Sequence, residues 1–82
     1  MHEWGLVADA VAEVKKQAAL NKIIKVTAIQ IGLGRKSDVS KEGFQTCFTA
    51  LAKDTIMSEA KLQFKSRPDH IITVDTISGQ TD

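Results

Sequence analysis

Residues that cross-link small proteins or build common catalytic and metal sites are scarce in this 82-residue chain. Cys47 is the only cysteine, which excludes an internal disulfide and a zinc site built from paired C-x-x-C motifs. No pairing of nucleophile and base, no carboxylate constellation and no phosphate-binding loop can be assembled from the residues that are present. The sequence therefore predicts a protein that is not an enzyme.

A strong charge imbalance and a long apolar segment are also missing. The 11 basic and 10 acidic residues are distributed along the chain and leave a formal net charge of +1, so no field steers a polyanion to the surface. The longest apolar run is far shorter than the roughly 20 residues of a membrane span. The first residues lack the basic start and the apolar core of a signal peptide. We therefore expect no nucleic-acid partner, no membrane association and a cytoplasmic location.

What the sequence does contain is a compact set of nitrogen donors at residues 1–3. If Met1 carries a free amine, that amine can close fused chelate rings with the amide and imidazole of His2 and the amide of Glu3. A planar set of nitrogens suits Ni(II) or Cu(II) rather than zinc or magnesium. The sequence thus predicts a metal site formed by Met1, His2 and Glu3, with His70, the second histidine, as an additional candidate ligand.

Three side chains near this site or in the predicted core have more than one interpretation. Glu3 is either a favourable charge in the first turn of a helix or an acceptor that orients the imidazole of His2. Trp4 can pack on the sheet or cover the chelate, and burial is the commoner fate of tryptophan. Cys47 falls in an apolar helical stripe, so we expect a small buried hydrophobic residue and not a catalytic thiol.

The hydrophobic periodicity predicts five elements in one domain, residues 1–82. They are a helix over residues 3–21, a strand over 24–33, a helix from the N-cap Ser40 to about 53, a strand over 60–65 and a strand over 71–77, with 78–82 expected to fray. The alternation of the first strand assigns Thr27, Ile29, Ile31 and Leu33 to its buried face.

Elements of this number and length can share one core only in two layers. We therefore predict an α+β fold in which two helices pack on one face of a three-stranded mixed or antiparallel sheet, in the chain order α-β-α-β-β. The opposite face carries Ala28, Gln30, Lys61 and Lys65 and is expected to meet solvent. A domain of this size buries only roughly 60–65% of its unfolded surface, so a homo-oligomer would add stability.

Four segments occur in the order and at the spacing found in a known family. They are Met1-His2-Glu3-Trp4-Gly5-Leu6, Ile29-Gln30-Ile31-Gly32-Leu33-Gly34, Asp54-Thr55-Ile56 and Ala60-Lys61-Leu62-Gln63-Phe64. With these segments the chain resembles the HypA family of hydrogenase nickel-incorporation proteins. Typical members begin Met-His-Glu before an amphipathic helix and continue with an alternating strand that ends in an aliphatic residue and glycine.

The chain departs from the family pattern at two places. Arg35-Lys36 stands where the family usually has Glu-Leu, which reverses the local charge. The family's zinc-binding domain, with its two C-x-x-C pairs, is replaced by the short segment 66–71, and residues 72–77 resemble the returning strand. The resemblance thus implies a HypA-like nickel-binding domain closed by a short turn, with no zinc expected.

The resemblance also implies a function. It implies a nickel metallochaperone that carries Ni(II) as cargo, with His2 as an essential ligand. The implied partners are a HypB-like GTPase and the large subunit of a [NiFe] hydrogenase, or another nickel enzyme as the client. The alternative is a protein-protein interaction or assembly module that retains the fold without specific metal binding.

Overall fold

The computed structural model describes residues 2–82, and of His2 it describes the backbone alone. The elements are helix α1 (His2–Leu20), strand β1 (Ile23–Gly34), helix α2 (Lys41–Ala52), strand β2 (Lys61–Arg67) and strand β3 (Ile72–Thr81). These bounds confirm the predicted order of helices and strands. Neither described helix combines the length and the hydropathy that crossing a membrane requires.

Both helices form where apolar residues recur at helical spacing, and each buries that stripe. The buried side chains of α1 are Val7, Ala10, Val11, Val14 and Ala18. Those of α2 are Phe44, Cys47, Phe48 and Ala52. Helix α2 begins at the predicted N-cap, Ser40, whose Oγ accepts a hydrogen bond from the amide of Gly43 at 3.0 Å. This bond satisfies an amide that has no acceptor within the helix.

Strand β1 lies in the centre of the sheet, which has the order β2-β1-β3. Strand β2 runs parallel to β1, and β3 runs antiparallel to it. A parallel pair needs a long crossover connection, which α2 provides between β1 and β2. The predicted α+β fold with a three-stranded mixed sheet is confirmed.

The core lies between the helices and one face of the sheet. Ile29 and Ile31 of β1 are fully buried there, in one hydrophobic cluster with Phe44 and Met57. The Phe44 ring meets Phe64 of β2 edge-on, with 5.6 Å between the ring centroids. This aromatic contact joins α2 to the strand that follows it.

The strict alternation predicted for β1 is wrong at Thr27. The structure exposes Thr27 and buries Val26 and Ile29, which are three positions apart. The cause is a β-bulge: Val26 pairs with Gly79 and Ala28 pairs with Ser78, so Thr27 is an extra residue. A bulge resets which residues face the core. Pairing with β3 therefore overrides the period read from β1 alone.

The prediction that residues 78–82 fray is also wrong. Strand β3 continues to Thr81, which pairs with Ile23 at the start of β1. The close approach of these strands requires Gly79, because a Cβ there would collide with the carbonyl oxygen of Lys25. Pairing along the first half of β1 thus supplies the hydrogen bonds that hold this segment in the sheet.

The sheet face away from the helices is polar. Lys61 and Lys65 are exposed there, as predicted. Gly32 is buried on this face because the side chains of Thr73 and Arg67 cover it and occupy the place of a Cβ. The described residues thus cover the centre of this face with polar side chains from β2 and β3.

Candidate metal centre

Glu3 and His70, the two predicted ligands with described side chains, lie at one end of the molecule, and the topology explains why. Strand β1 ends at Gly34, which pairs with Arg67 at the end of β2 and lies one residue beyond the pairing of Leu33 with Ile72 of β3. Helix α1 precedes β1 through a two-residue turn, so the start of α1 lies at the end of β1. The start of α1, the start of α2 and the turn over residues 68–71 therefore share this end.

Of the predicted ligands at residues 1–3, Glu3 alone has a described side chain. Met1 and the imidazole of His2 fall outside the described residues, and the backbone of His2 forms the first residue of α1. The Glu3 side chain is half-buried and its carboxylate reaches helix α2. Cys47 Sγ donates a hydrogen bond to Glu3 Oε1 at 3.8 Å.

The second carboxylate oxygen of Glu3 occupies the space beside Gly43 in the first turn of α2. A Cβ on Gly43 would collide with Glu3 Oε2 and lie 2.9 Å from its Cδ. Ser40 Oγ would lie 3.1 Å from this added Cβ. The Glu3 side chain is therefore a bridge between the first turns of the two helices, besides being an acidic residue in the first turn of α1.

The structure confirms that Cys47 is a buried structural residue. It is 2% exposed. Burial raises the pKa of its thiol, and the charge and hydrogen bond of Glu3 raise it further. A thiol held protonated is a poor nucleophile and a poor soft-metal ligand.

Sequence reasoning missed the contact between Glu3 and Cys47, which lie 44 positions apart. The one local signal is that Gly43 and Cys47 are four positions apart, so they share one face of α2. Nothing in the sequence identifies Glu3 as the residue that contacts this face.

The turn that carries His70 is braced by an ion pair. Arg67 donates two hydrogen bonds to Asp69, from Nε to Oδ1 at 3.1 Å and from Nη2 to Oδ2 at 2.7 Å. Asp69 Oδ1 also accepts a hydrogen bond from the amide of Ile71 at 3.2 Å. The Arg67 hydrogen bonds hold the pKa of the Asp69 carboxyl below its usual value. The chain is thus held on both sides of His70.

His70 itself is exposed and lies on a groove between α1 and β3. On the helix side the groove is lined by Leu6, Asp9, Ala10, Glu13 and Gln17. Within residues 2–82, no group of three or more histidine, cysteine, aspartate or glutamate side chains is arranged to hold a metal ion. His70 therefore shares an end of the molecule with Glu3, and the described side chains form no ligand cluster around it.

Trp4 departs from the expected burial, because it is 36% exposed. The buried stripe of α1 begins at Val7 and includes Val11 and Val14. Trp4 and Val7 are three positions apart on α1, and the core does not reach as far as Trp4.

Comparison with known proteins agrees with this architecture. A family model described as "Hydrogenase/urease nickel incorporation, metallochaperone, hypA" matches residues 1–73. The hydrogenase maturation factor HypA of Actinobacillus succinogenes is 34% identical over 64 residues, which cover 78% of this chain and 57% of that protein. Its namesake in Shewanella oneidensis is 35% identical over 68 residues, covering 83% of this chain and 58% of that protein. The matches to these two curated relatives thus span well under two thirds of their length.

Two solved structures share the fold. A solution structure of the Ni metallochaperone HypA from Helicobacter pylori superposes with a TM-score of 0.88 and 12% identity, covering 98% of each chain. A second solution structure of a HypA protein has a TM-score of 0.66 and 19% identity, covering 93% of this chain and 71% of the other. At these identities the likeness concerns the fold alone.

Proposed function

The chain belongs to the HypA family of nickel-incorporation proteins, and on that premise we propose that it binds one Ni(II) ion as cargo through residues 1–3. The ligands are the Met1 amine, the amide and imidazole of His2, and the amide of Glu3. The observation that carries the proposal is the match of residues 1–73 to the family model, which includes all three of these residues.

The backbone of α1 favours this chelate. A five-membered ring closed by two consecutive backbone nitrogens needs a ψ angle near zero, and the helical value of about −42° is far closer to it than that of a strand. His2 is the first residue of α1, so the nitrogens of His2 and Glu3 lie on the same side of the chain. A planar set of such nitrogens suits Ni(II).

The position at a helix start also lowers the cost of losing amide protons. The first four amides of an α-helix have no acceptor within the helix, so their deprotonation breaks no helical hydrogen bond. The negative charge that results lies at the positive end of the helix dipole. The same argument predicts that nickel affinity rises with pH, because metal binding releases these protons.

His70 is the candidate for a further ligand in this proposal. The ion pair of Arg67 with Asp69 holds its turn, and the turn lies at the same end of the molecule as the start of α1. We also propose that the segment 66–71 is a short connection that closes the domain where the resemblance implies a zinc-binding domain. Three backbone hydrogen bonds from residues 34–36 to residues 67–71 support this assignment.

The proposed clients follow from the relatives. Proteins named hydrogenase maturation factor HypA align with most of this chain, so we propose that the nickel passes to a maturing nickel enzyme such as the large subunit of a [NiFe] hydrogenase. A HypB-like GTPase is the proposed partner in that transfer. The protein is then a carrier of metal and not a catalyst.

Calorimetric titration with nickel tests the ligand set. A protein with a free Met1 amine should bind one nickel ion, and His2→Ala or extra residues before Met1 should abolish that site. His70→Ala is the matched control, because it also removes one imidazole, but from the turn and not from residue 2. It should weaken nickel binding only if His70 is a ligand. Equal binding by the parent protein, His2→Ala and the extended protein would refute the proposal, and an absence of binding in all three would favour the assembly module.

A further inference from the structure

We infer that Gly43 is a positioning residue for the nickel site, because its missing side chain admits the Glu3 carboxylate to the first turn of α2. This inference rests on the proposed function. The anchored side chain holds the residue whose backbone nitrogen completes the chelate.

The contacts define a small receptor for the Glu3 carboxylate on α2. Oε1 accepts the hydrogen bond of Cys47 Sγ at 3.8 Å, and Oε2 fills the space that a Cβ on Gly43 would take. Ser40 Oγ borders the same space, since it would lie 3.1 Å from that Cβ. The carboxylate is thus held against side chains and backbone that lie about forty positions along the chain from residue 3.

Apart from the contacts with Glu3 and the 3.1 Å approach of Ser40 Oγ, no feature of position 43 requires glycine. Its backbone does not adopt the left-handed conformation that favours glycine. It lies in the first turn of α2, where alanine is the better helix former. Glu3 would meet the added Cβ most closely and is therefore the main physical reason for glycine at this position.

Anchoring the Glu3 side chain matters for binding because it orders the metal-binding backbone in advance. Without the anchor, residue 3 at the end of the helix would have to be ordered when the metal binds. The entropy of fixing the backbone of one residue corresponds to roughly a five- to thirty-fold change in an equilibrium constant. Preorganisation of this kind raises affinity, because less ordering has to accompany binding.

Gly43→Ala tests the inference, with Gly5→Ala as the matched control. Both changes add one methyl group to a helical glycine, and among the described residues nothing outside the helix's own backbone and the chain neighbours lies within 4 Å of the added Cβ at Gly5. We expect Gly43→Ala to raise the nickel dissociation constant roughly five- to thirty-fold. We expect Gly5→Ala to leave it within about two-fold of the parent value. We expect Gly43→Ala to fold, because the group that collides with the added methyl is the end of the flexible Glu3 side chain and can move away. Circular dichroism checks that both variants are folded.

A double-mutant cycle separates positioning from general destabilisation. Glu3→Ala removes the carboxylate and keeps the backbone nitrogen, so in that background Gly43→Ala should change nickel affinity no further. Additive effects in the cycle, or equal dissociation constants for Gly43→Ala and Gly5→Ala, would overturn the inference. Absence of His2-dependent nickel binding in the parent protein would instead overturn the proposed function and this inference with it.

Discussion

Replacing Gly34 by alanine should loosen the turn that carries His70. Gly34 ends β1, and its amide donates a hydrogen bond to the carbonyl oxygen of Ile71 at 2.9 Å. The added Cβ would lie 2.7 Å from that oxygen and would collide with the carbonyl oxygen of Asp69. Both atoms belong to the backbone, so the turn itself has to move to make room.

The size of the effect follows from two opposing terms. Inserting a methyl group into a packed site costs about 1–3 kcal/mol. Gly34 does not have a positive φ angle, so alanine also restricts the unfolded chain and returns about 0.4–1 kcal/mol. We therefore expect a net loss of about 1–2 kcal/mol in the free energy of unfolding. Each kcal/mol lowers the melting temperature of a domain of this size by about 4–8 °C.

Urea denaturation followed by circular dichroism measures this loss. The control is Gly5→Ala, whose added Cβ meets no described side chain within 4 Å and which should stabilise α1 by up to about 1 kcal/mol. The two variants are therefore expected to shift the urea midpoint in opposite directions. A midpoint for Gly34→Ala at or above that of the parent protein would refute the docking of the turn on the end of β1.

Two further variants test the ion pair and the core. Arg67 lowers the pKa of Asp69 by hydrogen bonding, so the ionised carboxylate stabilises the fold above the unfolded pKa of about 3.9 and loses that contribution as the pH falls through the folded value. The stability difference between the parent and Asp69→Asn, measured in urea at several pH values, should thus shrink below about pH 4; an equal difference at acidic and neutral pH would contradict the ion pair. Phe44→Ala removes a fully buried ring that contacts Phe64 and should lower the free energy of unfolding by about 3–5 kcal/mol. The control Gln45→Ala changes an exposed neighbour and should lower it by less than about 0.5 kcal/mol. Similar urea midpoints for these two variants would refute the placement of Phe44.

Much of the fold is predictable because it depends on local patterns. The apolar spacing in α1 and α2 reflects the helical period, and Ser40 marks the start of α2 by its capping hydroxyl. The helix and strand bounds agree with prediction to within two residues everywhere except at the end of β3. That segment looked polar and free in the sequence, but Thr81 pairs with Ile23 near the start of the chain.

The bulge at Thr27 shows why the register of a strand cannot be read from that strand alone. Alternation is a property of one strand, whereas a bulge is a mismatch in length between two. Its signature is the step from Val26 paired with Gly79 to Ala28 paired with Ser78. These partners lie about fifty positions away in the chain, where no local pattern refers to them.

The sequence by itself determined the donor atoms of the proposed site, because the amine, amides and imidazole of residues 1–3 are covalent features of a short segment. It also determined the elements, because their periods are local. The tertiary structure alone decided that the Glu3 carboxylate enters the space beside Gly43 and accepts a hydrogen bond from Cys47. It alone decided that the turn of His70 lies at the same end as the start of α1. Such contacts depend on how helices and strands pack across large separations in the chain, and that packing is a property of the whole core.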